Sequence, residues 1–233
     1  MPTSWGTGAA ATLTDSSVPD LDFSVESAQA LPFAVVPTIA LKLRIIQKGP
    51  EPIRSIALGV QVRIAAAQRP YSSTEQDRLL EVFGEASRWA QTLKSLLWTL
   101  VHVQVPAFTG ETVVDVAIPC TYDFEVVSAR YFDALQASGG DIPLELLFSG
   151  TVFYASSHGL QVEQISWAKE ARFAMPVNVW QEVMALYFPN SAWLRIHKDT
   201  FDRLHAYRAR HALPSWEAAL ENLLNSQDPA WTR

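Results

Sequence analysis

The sequence predicts a mainly β, α+β protein: an antiparallel β-sandwich, Ig-like or a partly open barrel, followed by a C-terminal helical appendage. Three observations predict it. Apolar and polar side chains alternate with a period of two in several segments between residues 23 and 174, the pattern of a pleated strand with one buried face. Short connections rich in Gly and Pro separate many of these segments, which favours antiparallel pairing, because a parallel pair needs a crossover of about a dozen residues or more. After Pro176 the spacing changes to that of amphipathic helices.

Residues 1–22 are rich in Ala, Thr, Ser, Gly and Pro, show no apolar period and are expected to form a mobile tail. The β domain is expected over residues 23–175. Phe23 to Ala34 predicts a first strand with an irregular exit. Ile39, Leu41, Leu43 and Ile45 then alternate with Ala40, Lys42 and Arg44, and Ile56 to Ile64 repeat the pattern beyond Gly49-Pro50-Glu51-Pro52. Two such runs around a short turn predict an antiparallel hairpin. Ser73 is placed to cap a short helix ending at Gly84, with Gln76 closing a capping box. Leu97, Thr99, Val101, Val103 and Val105 predict one strand face, with Trp98, Leu100, His102 and Gln104 opposite. Val114, Val116 and Ile118 give a shorter strand. A helix through Tyr131, Phe132 and Leu135 is terminated at Gly139-Gly140.

Ile142 to Phe173 predicts the central hairpin. Leu144, Leu146, Phe148, Val152 and Tyr154 share one parity, Ser156 to Gly159 turns the chain, and the second arm changes phase between Val162 and Ile165, as a β-bulge would make it do. Helices are expected over 176–226, packed on the sandwich, with Asn178, Asp199 and Ser215 as caps; residues 227–233 are expected to fray.

The formal net charge is −6, with a pI of about 5.4, which argues against a general nucleic-acid binder. Cys120 is the single cysteine, so no intramolecular disulfide can form, which fits a reducing compartment. The N-terminus lacks the pattern of a secretory signal, and no apolar run reaches the ~18–20 residues of a membrane helix. A soluble, cytoplasmic protein is expected.

Chemistry-bearing candidates are few. The histidines, at 102, 158, 197, 205 and 211, make no i, i+4 pair, and no cysteine pair supports a zinc site. Cys120, Asp123 and Glu125 form a weak candidate polar site; a buried thiol and a solvated carboxylate face are the plainer readings. Arg203, Arg208 and Arg210 make one C-terminal helix basic and suited to an acidic partner, a reading weighed equally with an ordinary solvated face. Tryptophans cluster near the C-terminus. Trp180, Trp193 and Trp216 read as seam-fillers, and Trp231, near a polar terminus, as a partner contact. No cofactor or catalytic residue is predicted.

Three segments together carry a resemblance: Val105–Gly110 with Pro119–Val126, Leu146–Tyr154, and Tyr187–Trp193. From about residue 25 to 225 the chain resembles an uncharacterised family of bacterial proteins whose genes often lie near those of actinobacterial-type uptake nickel–iron hydrogenases. The resemblance implies a role in hydrogenase assembly, maturation or scaffolding, with a hydrogenase subunit or maturation factor as partner. It brings no catalytic positions. The leading expectation is therefore a non-catalytic accessory protein that binds another protein, with a homodimer through a free strand edge as a further possibility. The alternatives are a carrier of a small ligand or metal intermediate in the sandwich interior and, third, an enzyme built on Cys120, a histidine and Asp123.

Overall fold

The computed structural model describes residues 19–120, 126–156, 159–191 and 195–227. They fall into two compact units, one spanning 19–120 with 126–191 and one spanning 195–227. The predicted sandwich lies in the first. In chain order its elements are β1 (Leu21–Ala30), β2 (Thr38–Gln47), β3 (Ile53–Ile64), α1 (Ser73–Arg78), α2 (Leu80–Phe83), α3 (Trp89–Thr92), β4 (Leu96–Val105), β5 (Glu111–Pro119), α4 (Val127–Gln136), β6 (Asp141–Ser156), β7 (Gly159–Gln164), β8 (Glu170–Pro176) and α5 (Val177–Tyr187). The second unit holds α6 (Lys198–Arg210) and α7 (Trp216–Gln227).

All pairing between named strands is antiparallel. One sheet has the order β1-β2-β5; the other runs β4-β3-β6, with β7 and β8 laid end to end along β6. The inward parities match the sequence. Ile39, Leu41, Leu43 and Ile45 of β2 are fully buried, as are Ile56, Leu58, Val60 and Val62 of β3, and together they join one core cluster. Each such side chain contributes about 1.5–3 kcal/mol relative to an exposed one. The outward residues of β2 are ion-paired: Lys42 with Asp115 at 2.6 Å, and Arg44 with Glu26 and Glu111.

Several features differ from the sequence reading; among them, α5 starts behind Pro176 and Asn178, the expected cap, falls inside the helix. First, β2 and β3 are not a hairpin: they lie in different sheets and are joined by an arch. The arch contains Pro50 and Pro52, which carry no N–H for a tight ladder, and it is braced by Gln47, whose Nε2 donates to the Glu51 carbonyl at 2.6 Å. Secondly, the phase change in the second arm of the central hairpin is a break rather than a bulge. β7 ends at Gln164, a turn closed by Lys169 N–H donating to the Ser166 carbonyl at 3.0 Å presents Trp167 to solvent, and β8 resumes at Glu170. Thirdly, the register between β3 and β4 slips at Val62/Arg63, which turns Trp98 inward onto Phe132 at 4.9 Å and leaves Leu97 63% exposed. Fourthly, the helix cap lies one residue earlier than expected. Ser72 and Glu75 form the capping box, and Gln76 instead donates from Nε2 to the Tyr71 carbonyl.

Around the sandwich, α4 and α5 share an aromatic seam. Trp180 is 1% exposed, with its ring 4.6 Å from that of Phe132. Trp180 thus fills a seam as expected.

Candidate functional site

Chemistry-bearing residues converge most clearly in the second unit, in α6 and α7. The turn between the helices places Ala212 at φ 50°, the left-handed position that ends a helix, with Leu213 N–H donating to the Arg208 carbonyl at 3.1 Å. Ser215 Oγ then accepts from Ala218 N–H at 3.1 Å and starts α7. His197 occupies the cap position of α6, where Asp199 was expected, and Asp199 falls in the first turn.

Two stripes of α6 have different fates. Phe201, His205 and Arg208, at i, i+4 and i+7, gather around Trp216. The Phe201 and His205 rings lie 5.3 Å and 6.0 Å from its ring, and the Arg208 guanidinium sits 4.1 Å from its centroid. Arg208 is therefore engaged within the unit. The other stripe carries Thr200, Arg203, Tyr207 and Arg210, which with Leu204 and, from α7, Leu223 line an open groove of about 490 Å³. Tyr207 donates its hydroxyl to Asn222 Oδ1 and ties the helices together. Arg203 and Arg210 are seven residues apart, about 10.5 Å along the helix at 1.5 Å per residue. Neither has an ion-pair partner among the described residues. The groove thus has an apolar floor between two cations, a form suited to a peptide with carboxylates on both sides of an apolar side chain.

Of the weak polar site, only Cys120 lies among the described residues. Cys120 is buried, its Sγ 3.4 Å from the Ile118 carbonyl, and burial pushes its thiol pKa up to about 12, so it stays protonated at neutral pH. Asp123, Glu125, His158, Trp193 and Trp231 lie outside the described residues. Among the described residues no group of three His, Cys, Asp or Glu side chains is arranged to hold a metal ion.

The pattern of arginines pointed to α6 but did not separate Arg208 from Arg203 and Arg210. The i, i+7 spacing of the latter pair was the available signal. The contribution of Leu223 had none, because it depends on how α7 lies against α6.

A family model matches residues 18–231. The chain belongs to DUF6084. This is a family of unknown function, and the match spans both units. No curated protein matches this DUF6084 chain. Solved structures similar to it include a β-glucosidase from Kluyveromyces marxianus, at 12% identity, 68% of this chain, 15% of that one and a TM-score of 0.26. Another is the CARDB domain of a Pyrococcus furiosus protein in complex with di-metal ions, at 12% identity, 68% of this chain, 92% of that one and a TM-score of 0.25. A third is the putative ApaA protein from Bordetella pertussis, at 16% identity, 68% of this chain, 95% of that one and a TM-score of 0.25. The DUF6084 chain spans only about 15% of the β-glucosidase. Likeness at this level carries no argument about activity, ligand or partner. No described helix is long and apolar enough to cross a membrane.

Proposed function

We propose that this DUF6084 protein is a non-catalytic accessory protein that binds another protein, and that the α6–α7 groove receives an acidic segment of that partner. The observation that carries this reading is the pair Arg203 and Arg210. Both flank an apolar floor, and neither has a counter-charge among the described residues. Two cations on one helix attract a complementary segment during encounter and set its register, while Leu204 and Leu223 supply the apolar contact. The resemblance to proteins encoded beside nickel–iron hydrogenases makes a hydrogenase subunit or maturation factor the first partner to test.

Affinity purification of the tagged full-length protein from its native cells, with mass spectrometry and metal analysis of the eluate, is the direct experiment. The expected result is a co-purifying acidic partner that is lost with the double variant Arg203→Glu and Arg210→Glu. Its affinity for that variant should fall by roughly 100-fold or more, as charge reversal at two central contacts produces. The reading is overturned if the partner binds the double variant as tightly as the wild type. It is also overturned if the protein emerges alone with stoichiometric nickel, iron or an organic ligand, which would make it a carrier.

A further inference from the structure

Strand β7 forms one border of the larger sheet. It bonds β6 on one side, and among the described residues no strand pairs with its other side. Ile165 N–H donates to the Gly150 carbonyl at 2.9 Å, directly beyond the Thr151–Gln164 pair. In an antiparallel ladder, bonded and non-bonded pairs alternate. The unbroken register back to Gly159 therefore turns the N–H and C=O groups of Glu163 and Gln161 toward β6, and those of Leu160, Val162 and Gln164 outward. These three residues offer donors and acceptors to a further strand.

Such an edge is ordinarily blunted by a lysine, a proline or a bulge. Residues 159–164 contain neither lysine nor proline, and their register with β6 has no shift. Leu160 and Val162 are 63% and 54% exposed. They lie opposite Ala155 and Phe153, so this stretch of the outer face is apolar. Three residues past Gln164, Trp167 stands 90% exposed, an aromatic anchor close along the chain.

The other face of β7 has a different chemistry. Glu163 lies opposite the buried Val152 and, with Leu21, Val152 and Ile165, lines a pocket of about 270 Å³. Lys169 and Asp20 also line it, but they pair with each other at 2.6 Å. The Glu163 carboxylate has neither an ion-pair partner nor a hydrogen bond among the described residues. The pocket thus offers an apolar wall beside an uncompensated anion. Its complement is a lysine or arginine, whose methylene stem packs on apolar surface while the head meets the carboxylate.

We propose that β7 receives an extended segment of a partner protein as an added strand, with a lysine or arginine beside Glu163 and an apolar residue on each side of it. The pleat dictates this alternation in either strand direction. The neighbours of a residue on the pocket face fall on the outer face, where they cover Leu160 and Val162. The net charge of −6 favours the approach of a basic segment. A second copy of this chain fits less well. Pairing β7 with itself about a two-fold axis at Val162 matches all three outward residues, but it sets Gln161 beside Glu163 and supplies no cation. The β7 edge lies in the first unit and is independent of the α6–α7 groove, whose ligand is acidic.

Fluorescence anisotropy on the full-length protein tests it, with labelled peptides of sequence Ser-Val-Thr-Val-Lys-Val-Thr-Val-Ser and the same peptide with valine or glutamate at the centre. The lysine peptide is expected to bind with a dissociation constant below about 1 millimolar, and the glutamate peptide at least roughly tenfold more weakly. Glu163→Lys should reverse that order. Val162→Pro removes an outward N–H and no bond to β6, so the fold should melt close to wild type while binding of the lysine peptide is lost. Glu163→Lys carries the test if the proline variant does not fold. No peptide bound at about 1 millimolar, affinities indifferent to the central charge, or a folded Val162→Pro that binds as wild type does would each overturn the proposal. So would a wild-type dimer in sedimentation that Val162→Pro dissociates, which would give the edge to a second copy.

Discussion

Gly150 and Gly59 show how differently two glycines of one sheet are constrained. Gly150 sits in the middle of β6 at φ 132°, and a Cβ built there would lie 2.0 Å from the backbone oxygen of Ala57 in β3. Neither backbone can yield without breaking the ladder that joins the two strands. Gly150→Ala is therefore expected to cost about 3 kcal/mol or more, a fall in Tm on the order of 10 °C for a chain of this size, measured by thermal unfolding. At Gly59 the nearest obstruction is Ser149 Oγ at 2.9 Å, the tip of a side chain that can rotate away. Gly59→Ala should cost no more than about 1 kcal/mol in the same measurement. Cys120 marks a third residue-scale constraint: packing, not reactivity, accounts for a thiol held in its protonated form.

At the scale of elements, the short helix α1 is held by one carboxylate. Glu75 is buried. It accepts from Ser72 N–H at 2.7 Å to complete the capping box, pairs with Arg69 at 2.7 Å, and accepts from Ser138 Oγ at 2.7 Å just after α4. Burial raises its pKa, but the bonds from Ser138 and Ser72 and the charge of Arg69 outweigh burial and hold it below the ordinary value of 4.5. A carboxylate depressed in the folded state contributes stability that is present above the unfolded pKa and is lost as pH falls through the folded one. Glu75→Gln keeps the shape and removes the charge. It is expected to lower stability by about 1–3 kcal/mol at pH 7, and the difference from wild type should shrink as pH drops below about 4.5. Urea midpoints measured from pH 7 to pH 3 would show this convergence; a constant difference across that range would mean that shape, not charge, matters at Glu75.

At the scale of the whole molecule, the two units differ in how much they bury. The sandwich closes over strands whose inward residues are almost wholly excluded from solvent, whereas α6 has no buried residue, and Phe201, Leu220 and Leu224 of its unit are exposed. Local opening free energy follows buried apolar contact. Amide hydrogen exchange in the isolated protein is therefore expected to be faster over Lys198–Gln227 than in β2, β3 and β6. Addition of the partner should protect the α6–α7 unit first, since that is where the proposed groove lies.

Much of this architecture is legible in the amino-acid order, because it depends on periodicity. The alternation in β2, β3 and β6 specifies strands and their inward faces, the glycines after α4 specify its end, and the spacing in α7 specifies a helix. These are one-dimensional consequences of a pleat of period two and a helix of period 3.6. Partner choice among strands is not of that kind. An inward-facing alternation reads the same whether the next strand pairs beside it or packs across the core, so tertiary packing alone placed β2 and β3 in different sheets. The same holds for Trp98, turned inward by a register slip against β3, and for Arg208, separated from Arg203 and Arg210 by the position of Trp216 on a neighbouring helix. The exposure of Phe33 and Val35 was hidden for a related reason. An apolar run between prolines normally signals burial, and the bonds that hold this loop come from distant residues, among them the Tyr187 hydroxyl, which accepts from Ala34 N–H, and Cys120 N–H, which donates to the Pro37 carbonyl.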